Sequence, residues 1–392
     1  MNLPRSPSHF ALLALLALLA LLALSSSACG GRLAEVTSAS SAPPDATPPA
    51  PAVCDASRLA STKIHVPSSF SANPIDPLGY LPFAQDGCEL VYVDGTRNVL
   101  MGLSLATGES RLLEESFRSV RRPSARDGVV AWEADDAGGR RVIRMSLRGG
   151  EPITISADFD HAEEPRVGPD GVVFTAWKSS SLREDADTDL VLYVPSTRAT
   201  VVVGSGPGQQ RFGAVSRDII AFSDFSEDST GAFSPDRSSA ADIVLYDRAT
   251  GAIERRKAPG KQAFAQLSDV GDLIYVDWEW VHPEPKFEAE YAIKIGRGGR
   301  PPTEDKIVHA RPKIHTSTPW MQPSVRGLVV EWIEDASGTA SLFRRPTDLS
   351  SLPSLATSTK DALVGVHRGE TFSLVATRES SDKPVFLRVV AP

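Results

Sequence analysis

The sequence predicts an all-β protein: a β-propeller of seven four-stranded blades, with six as the alternative count, closed by a strand from its N-terminal side. Three observations predict it. Beyond residue 58, short apolar runs are split by Gly, Pro, Asp and Ser, and no stretch keeps a helical period. One strand–turn–strand pattern returns seven times, at spacings of 41 to 58 residues. The last unit has room for only three strands, while an unassigned strand, Thr62–Val66, precedes the first.

Before the repeats comes a segment that is not fold. Arg5 precedes an apolar run from Phe10 to Leu24, and small residues lead from Ser25 to Ala28. A basic start, a short apolar stretch and a small-residue cleavage zone read as a secretory signal over residues 1–28. The run is short of the about 20 residues that a membrane span needs. Residues 30–57 are rich in Ala, Ser and Pro and have no apolar period. They read as a disordered tether, which leaves 58–392 for the propeller.

Charge and cysteines narrow the class. The 392 residues carry a formal net charge of −8. Removing the signal takes Arg5 with it, giving 40 − 49 = −9. An acidic chain is a poor phosphate neutraliser, so nucleic-acid binding is not expected. Three cysteines cannot form a disulfide scaffold or a four-thiolate zinc site. In an oxidising compartment Cys54 and Cys88 could pair and pin the tether to the first folded unit; two unpaired thiols are the alternative.

The repeats are read from aligned segments. Arg122–Trp132, Glu164–Phe174 and Gln322–Trp332 each give a polar residue, a proline, a short inner run, a turn and a β-branched run that ends in an aromatic. Phe212–Phe222 fits without the proline, Leu81–Tyr92 and Phe264–Tyr275 fit with one extra residue, and a weaker copy begins at Leu363. A second hairpin follows at Val99–Leu113, Arg141–Ile155, Asp189–Val203 and Asp242–Arg256, turned by Thr107-Gly108, Gly149-Gly150 and Thr250-Gly251. Two hairpins make a four-stranded unit, and a ring of such units leaves no long sheet edge. Variable spacing comes from insertions between the second and third strands. Trp132, Trp177, Trp278 and Trp332 fall near the ends of second strands, where packing between blades is expected.

Two resemblances follow. Ser-Ser-Ala-Cys-Gly-Gly around Cys29 resembles the lipobox of bacterial lipoproteins, which implies an acylated Cys29 at position one. Ser26 departs from that pattern, where Leu is preferred, and plain cleavage after Ala28 stays open. Pro165–Phe174 with Asp189–Tyr193, and Asp242–Gly251, resemble the TolB-type propeller repeat. That resemblance spans roughly residues 80–392 but is carried well by only two or three blades. It implies a propeller in an envelope setting, not any one activity.

Chemistry is sparse. No HExxH, paired-cysteine or Gly-x-Ser-x-Gly motif is present. Residues 204–208 resemble a phosphate loop but read as an inter-blade turn. The loops before inner strands should gather at one funnel, which makes Arg122, His161, Glu164, Arg211, Gln262, His315, Trp320 and Gln322 the candidate binding residues. His161 and His315 read as matching positions, and the resemblance implies a candidate metal set, because some TolB-like polysaccharide lyases hold a metal there with His and Gln and Gln322 would be the matching amide. Asp185, Asp187 and Asp189 form a carboxylate run that suits Ca²⁺, though Leu190 stands where a calcium loop would have glycine. No other cofactor is expected. The leading expectation is a monomeric, lipid-anchored envelope protein that binds or scaffolds protein or glycan partners without catalysis. Membrane contact would be through acyl chains alone, and the protein would be secreted if not acylated. The alternative is a metal-dependent polysaccharide lyase or hydrolase working in the central funnel.

Overall fold

Two-residue turns set the pitch of the chain. At Asp127-Gly128 both residues have positive φ, 52° and 77°, the backbone of a type I′ turn whose twist matches that of paired strands. It joins Ser119–Arg126 to Val129–Asp135. A computed structural model describes Cys54, Lys63–Ile64 and most of residues 81–390. Outside the description lie the rest of 1–80, residues 116, 148 and 391–392, and the segments 179–186, 229–239, 283–287, 316–322, 337–338, 360–361, 369–371 and 379–384. The expected signal, Cys29 and the tether, apart from Cys54, fall outside it.

Among the described residues the strands form seven four-stranded antiparallel sheets. Six are each built from one contiguous stretch. The seventh combines Ala362–Arg368, Ser373–Arg378 and Val385–Val390 with Lys63–Ile64, which pairs antiparallel to the third of these. This is the expected closure, over a described strand shorter than Thr62–Val66. We number the blades from Phe83 onward. Their first strands are Phe83–Asp86, Ser119–Arg126, His161–Gly168, Gln210–Val215, Lys261–Leu267, Ser324–Arg326 and Ala362–Arg368. From blade 2 through blade 7, each first strand packs against strands of the preceding blade. The exposed apolar side chains Leu112, Ile153, Val201, Val202, Ile253, Ile307 and Leu355 sit on fourth strands. First strands are therefore innermost and fourth strands outermost.

The core lies between blades. Trp132 of blade 2 is fully buried among Ala84, Val91, Val93 and Leu100 of blade 1. Trp332 of blade 6 is buried against Phe264, Ile274 and Tyr291 of blade 5. The expected packing role holds for both; the side chain of Trp278 is outside the description. Blade 7 meets blade 1 through Phe372, Leu374, Ala376 and Leu387 against Leu81, Phe83, Leu90, Leu103 and Leu105. Polar turns add a second tie. The Asp86 carboxylate of blade 1 accepts the N–H groups of Asp127 (3.0 Å) and Gly128 (2.6 Å) in blade 2.

The inner strands of blades 2 to 5 share one irregularity. Pairing with the second strand slips between Arg121 and Ser124, Glu163 and Arg166, Arg211 and Ala214, and Ala263 and Gln266. Within each slip one residue takes positive φ: Arg122 (50°), Glu164 (63°), Phe212 (58°) and Phe264 (59°). These are β-bulges, and a bulge re-aims side chains while leaving a residue out of the ladder. Pro123 and Pro165 sit inside two of them, where the missing N–H costs no ladder bond. The repeated proline of the sequence motif is thus a bulge signature.

Candidate functional site

First strands enter the ring on the face that also carries the connections between second and third strands. The longest of these connections, 178–188 in blade 3 and 225–241 in blade 4, begin and end on this face in adjacent blades. Beneath it the bulges of blades 2, 3 and 4 present charge inward.

The centre of that charge is Glu133, fully buried in the second strand of blade 2. Its Oε2 lies 2.9 Å from Arg121 Nε and its Oε1 2.9 Å from Arg122 Nη1. The backbone N–H of Glu164, from blade 3, donates to Oε1 at 2.6 Å. Burial opposes ionisation of Glu133, but the charges of Arg122 and Arg121 outweigh it and hold the carboxyl below its ordinary range. Glu163, also fully buried, takes Arg141 Nη1 at 2.8 Å and stands 3.7 Å from Arg122 and 3.6 Å from Arg211. Glu164 pairs with the guanidinium of Arg211 in blade 4 and accepts bonds from Thr175 Oγ1 (3.1 Å) and Phe212 N (3.3 Å). Arginine and glutamate therefore alternate around an arc of three blades.

The arc then turns apolar. Phe212 packs on Phe264 (centroids 4.9 Å apart) and edge-on to Phe225 (6.1 Å), while Ala263 takes the place of the charge. Blades 4 and 5 share a different device. Gln210 Nε2 donates to Asp224 Oδ1 (3.3 Å) and Pro207 O (3.4 Å); Gln262 Nε2 donates to Asp277 Oδ1 (2.7 Å) and Pro259 O (2.8 Å). Each carboxylate also carries a cation, Arg255 on Asp224 and Lys294 on Asp277.

The candidate residues are thus only partly brought together. Arg122, Glu164 and Arg211 belong to one network, but Glu164, Arg211 and Gln262 are about 1% exposed. They do not line an open funnel. Glu164 and Arg211 pair with each other between blades 3 and 4, and Gln262 bonds within blade 5 to Asp277 and Pro259. His161 opens the inner strand of blade 3, stacks on Trp177 (centroids 5.2 Å, planes 23° apart) and accepts the Arg141 N–H at Nδ1 (3.4 Å). His315 instead ends the outermost strand of blade 5, opposite Glu288. The two histidines do not occupy matching positions, because that blade's outer strand runs on from Lys306 through the register assigned to a loop. Trp320, Gln322 and Asp185 lie outside the described residues. Asp187 accepts the N–H of Gly208 at 2.5 Å, and Asp189 begins the third strand of blade 3. No group of three or more His, Cys, Asp or Glu among the described residues is placed to hold a metal ion.

Arg121 and Glu163 are legible as polar residues before inner strands, whereas Glu133 and Arg141 are missed by sequence reasoning. A signal was present. Glu133 directly follows the aligned aromatic Trp132, at the repeat position that Thr175 and Ser223 hold in blades 3 and 4. All three are fully buried, and a buried carboxylate at such a position requires partners.

No protein-family model matches the chain, and no curated protein matches it. Solved structures do. The β-propeller domain of the trilobed protease from Pyrococcus furiosus is 12% identical with a TM-score of 0.56, over 79% of this chain and 91% of that one. An oligogalacturonate lyase in complex with manganese is 12% identical with a TM-score of 0.54, over 78% and 86%. TolB from Acinetobacter baumannii is 17% identical over 74% and 63%, with a TM-score of only 0.40. The first two likenesses establish a β-propeller and nothing finer.

Proposed function

We propose that this propeller is an envelope-located, lipid-anchored module of the TolB repeat type that binds or scaffolds protein or glycan partners without catalysis. One observation carries the reading. The ionic arc that ties blades 2, 3 and 4 together braces the two adjacent blades whose connections between second and third strands, 178–188 and 225–241, are the longest. Variable loops on a rigid base are how scaffolds present binding surfaces. The buried arginines and glutamates pair with one another and brace that base. The anchor part rests on the apolar run Phe10–Leu24 and on Cys29 within its small-residue context. Calcium at Asp185, Asp187 and Asp189 remains a subsidiary proposal, resting on the spacing of the three carboxylates.

The test is a titration of the mature protein onto isolated cell-wall glycan, envelope protein extracts and acidic polysaccharides, with and without Ca²⁺ and Mn²⁺. Saturable binding without product, weakened when 229–239 is replaced by a short Gly-Ser linker, is the expected result. Metal-dependent depolymerisation of an acidic polysaccharide, lost in a His161→Ala variant, would overturn the non-catalytic reading in favour of a lyase or hydrolase. Membrane partitioning that survives Cys29→Ser would remove the anchor.

A further inference from the structure

The ring has one seam that the chain does not cross continuously, between blade 7 and blade 1. Among the described residues, Lys63 and Ile64 pair with blade 7, opposite Phe386 and Val385. A strand that joins a blade from outside its contiguous chain must offset the entropy of ordering the segment that leads to it. A second link stands at the same seam. Cys54, nine residues before Lys63, is joined to Cys88 in the first turn of blade 1. Both cysteines pack on the apolar cluster shared by the two blades, beside Leu105 and Leu387, and the Cys88 carbonyl accepts the Leu105 N–H at 2.7 Å.

The topology makes the two links cooperate. Strand Lys63–Ile64 runs antiparallel to Val385–Val390 and so enters from the face where first strands end. Cys88 lies in the turn on that same face, between Phe83–Asp86 and Glu89–Asp94. The bridge therefore fastens the chain close to where the closing strand must start. A short covalent tether raises the local concentration of that strand at its pairing edge.

We propose that the Cys54–Cys88 disulfide is a covalent clasp on the ring, so that closure of blade 7 depends on its oxidation state. A dithiol reductant delivers two electrons and two protons, the Sγ–Sγ bond breaks, two cysteine thiols form and the reductant leaves as its own disulfide. The closing strand then has its ladder but no covalent hold, and its departure would leave Val385–Val390 as a sheet edge. The remaining blades keep their contiguous four strands and their inter-blade contacts.

Amide hydrogen exchange on the full mature chain tests this, oxidised and after mild dithiol reduction. Reduction is expected to speed exchange in 385–390 by about tenfold or more, while the inner strands of blade 4 change by less than about twofold. A Cys54→Ser, Cys88→Ser variant should match the reduced protein and be blind to reductant. If that variant fails to fold, the reduced wild type decides alone. Unchanged exchange in 385–390 overturns the clasp. So does an equal rise in every blade, because that would make the bridge a general cross-link rather than a seam-specific one.

Discussion

Arg126 of blade 2 reaches Asp269 of blade 5, with Nη2 2.5 Å from Oδ1. The other oxygen of Asp269 accepts the N–H of Gly327 in blade 6 at 3.0 Å. Both side chains leave the exit ends of inner strands, three blades apart, so the pair spans the axis of the ring. Burial alone would raise the Asp269 carboxyl, but the Arg126 hydrogen bond and charge outweigh it and hold it below the ordinary carboxylate range. A depressed carboxyl stabilises the fold above its unfolded value and loses that contribution as pH falls through the folded one. Asp269→Asn should therefore cost about 1 kcal/mol at neutral pH, a figure discounted for the exposure of the carboxylate. The cost should vanish in acid below the folded value, and denaturant titrations at the two pH values check it.

Glu133 makes a harsher prediction. It is fully buried and faces two arginines and a backbone N–H. Removing one member of a buried ionic network leaves its partners charged and unpaired, at a cost of about 3–5 kcal/mol. Glu133→Ala should fall in that range by chemical denaturation. Glu133→Ala with Arg122→Ala should cost less than the two single changes summed, because the second removes one stranded charge.

Packing between blades predicts a third outcome. A Cβ added at Gly204, which ends the outer strand of blade 3, would lie 2.5 Å from Cζ and 2.7 Å from Cε2 of Phe222 in blade 4. Overpacking of this kind costs about 1–3 kcal/mol. Gly204→Ala should show it in thermal melts, and Phe222→Leu in the same chain should recover part of the loss. Gly138→Ala meets only Asp136 Oδ1 at 3.3 Å and should melt close to wild type.

These sites also mark how far the sequence could be read. Turn residues such as Asp127-Gly128 and Thr250-Gly251 are local devices, so strand order and blade period were legible from them. The closing strand was legible because blade 7 came up one strand short. Partners across blades were not. Arg122 and Glu164 looked like rim residues because nothing local says that a bulge turns them inward, although Pro123 and Pro165 carried the trace of it. Gln262 looked exposed, yet its fate depends on Asp277 and Pro259. His315 was assigned to a loop because the blade 5 hairpins are longer than the others, and register within a long strand is fixed by pairing rather than by composition.

The same repeat geometry places two carboxylates under strain at matching positions. Asp189 and Asp242 begin the third strands of blades 3 and 4, where the two longest connections return to the sheet. Burial raises the Asp189 carboxyl most, the charge of Asp187 adds to it, and Lys178 opposes. Asp242 is raised by burial and then by Glu227, against Arg255 and Lys257. A carboxyl with a raised folded value favours the fold when protonated, and that stability is lost as pH rises through the folded value. At neutral pH both side chains are ionised at some cost. Asp189→Asn and Asp242→Asn keep the shape and remove the charge, so each should raise Tm near pH 7 by about 1–2 °C, a small effect because nearby cations offset part of the penalty at both sites. At a pH below the ordinary aspartate value, where the wild-type groups are already protonated, neither change should help. Melting curves at the two pH values read the difference directly. A gain that persists unchanged in acid would mean that the substitution acts through packing or hydrogen bonding rather than through the charge.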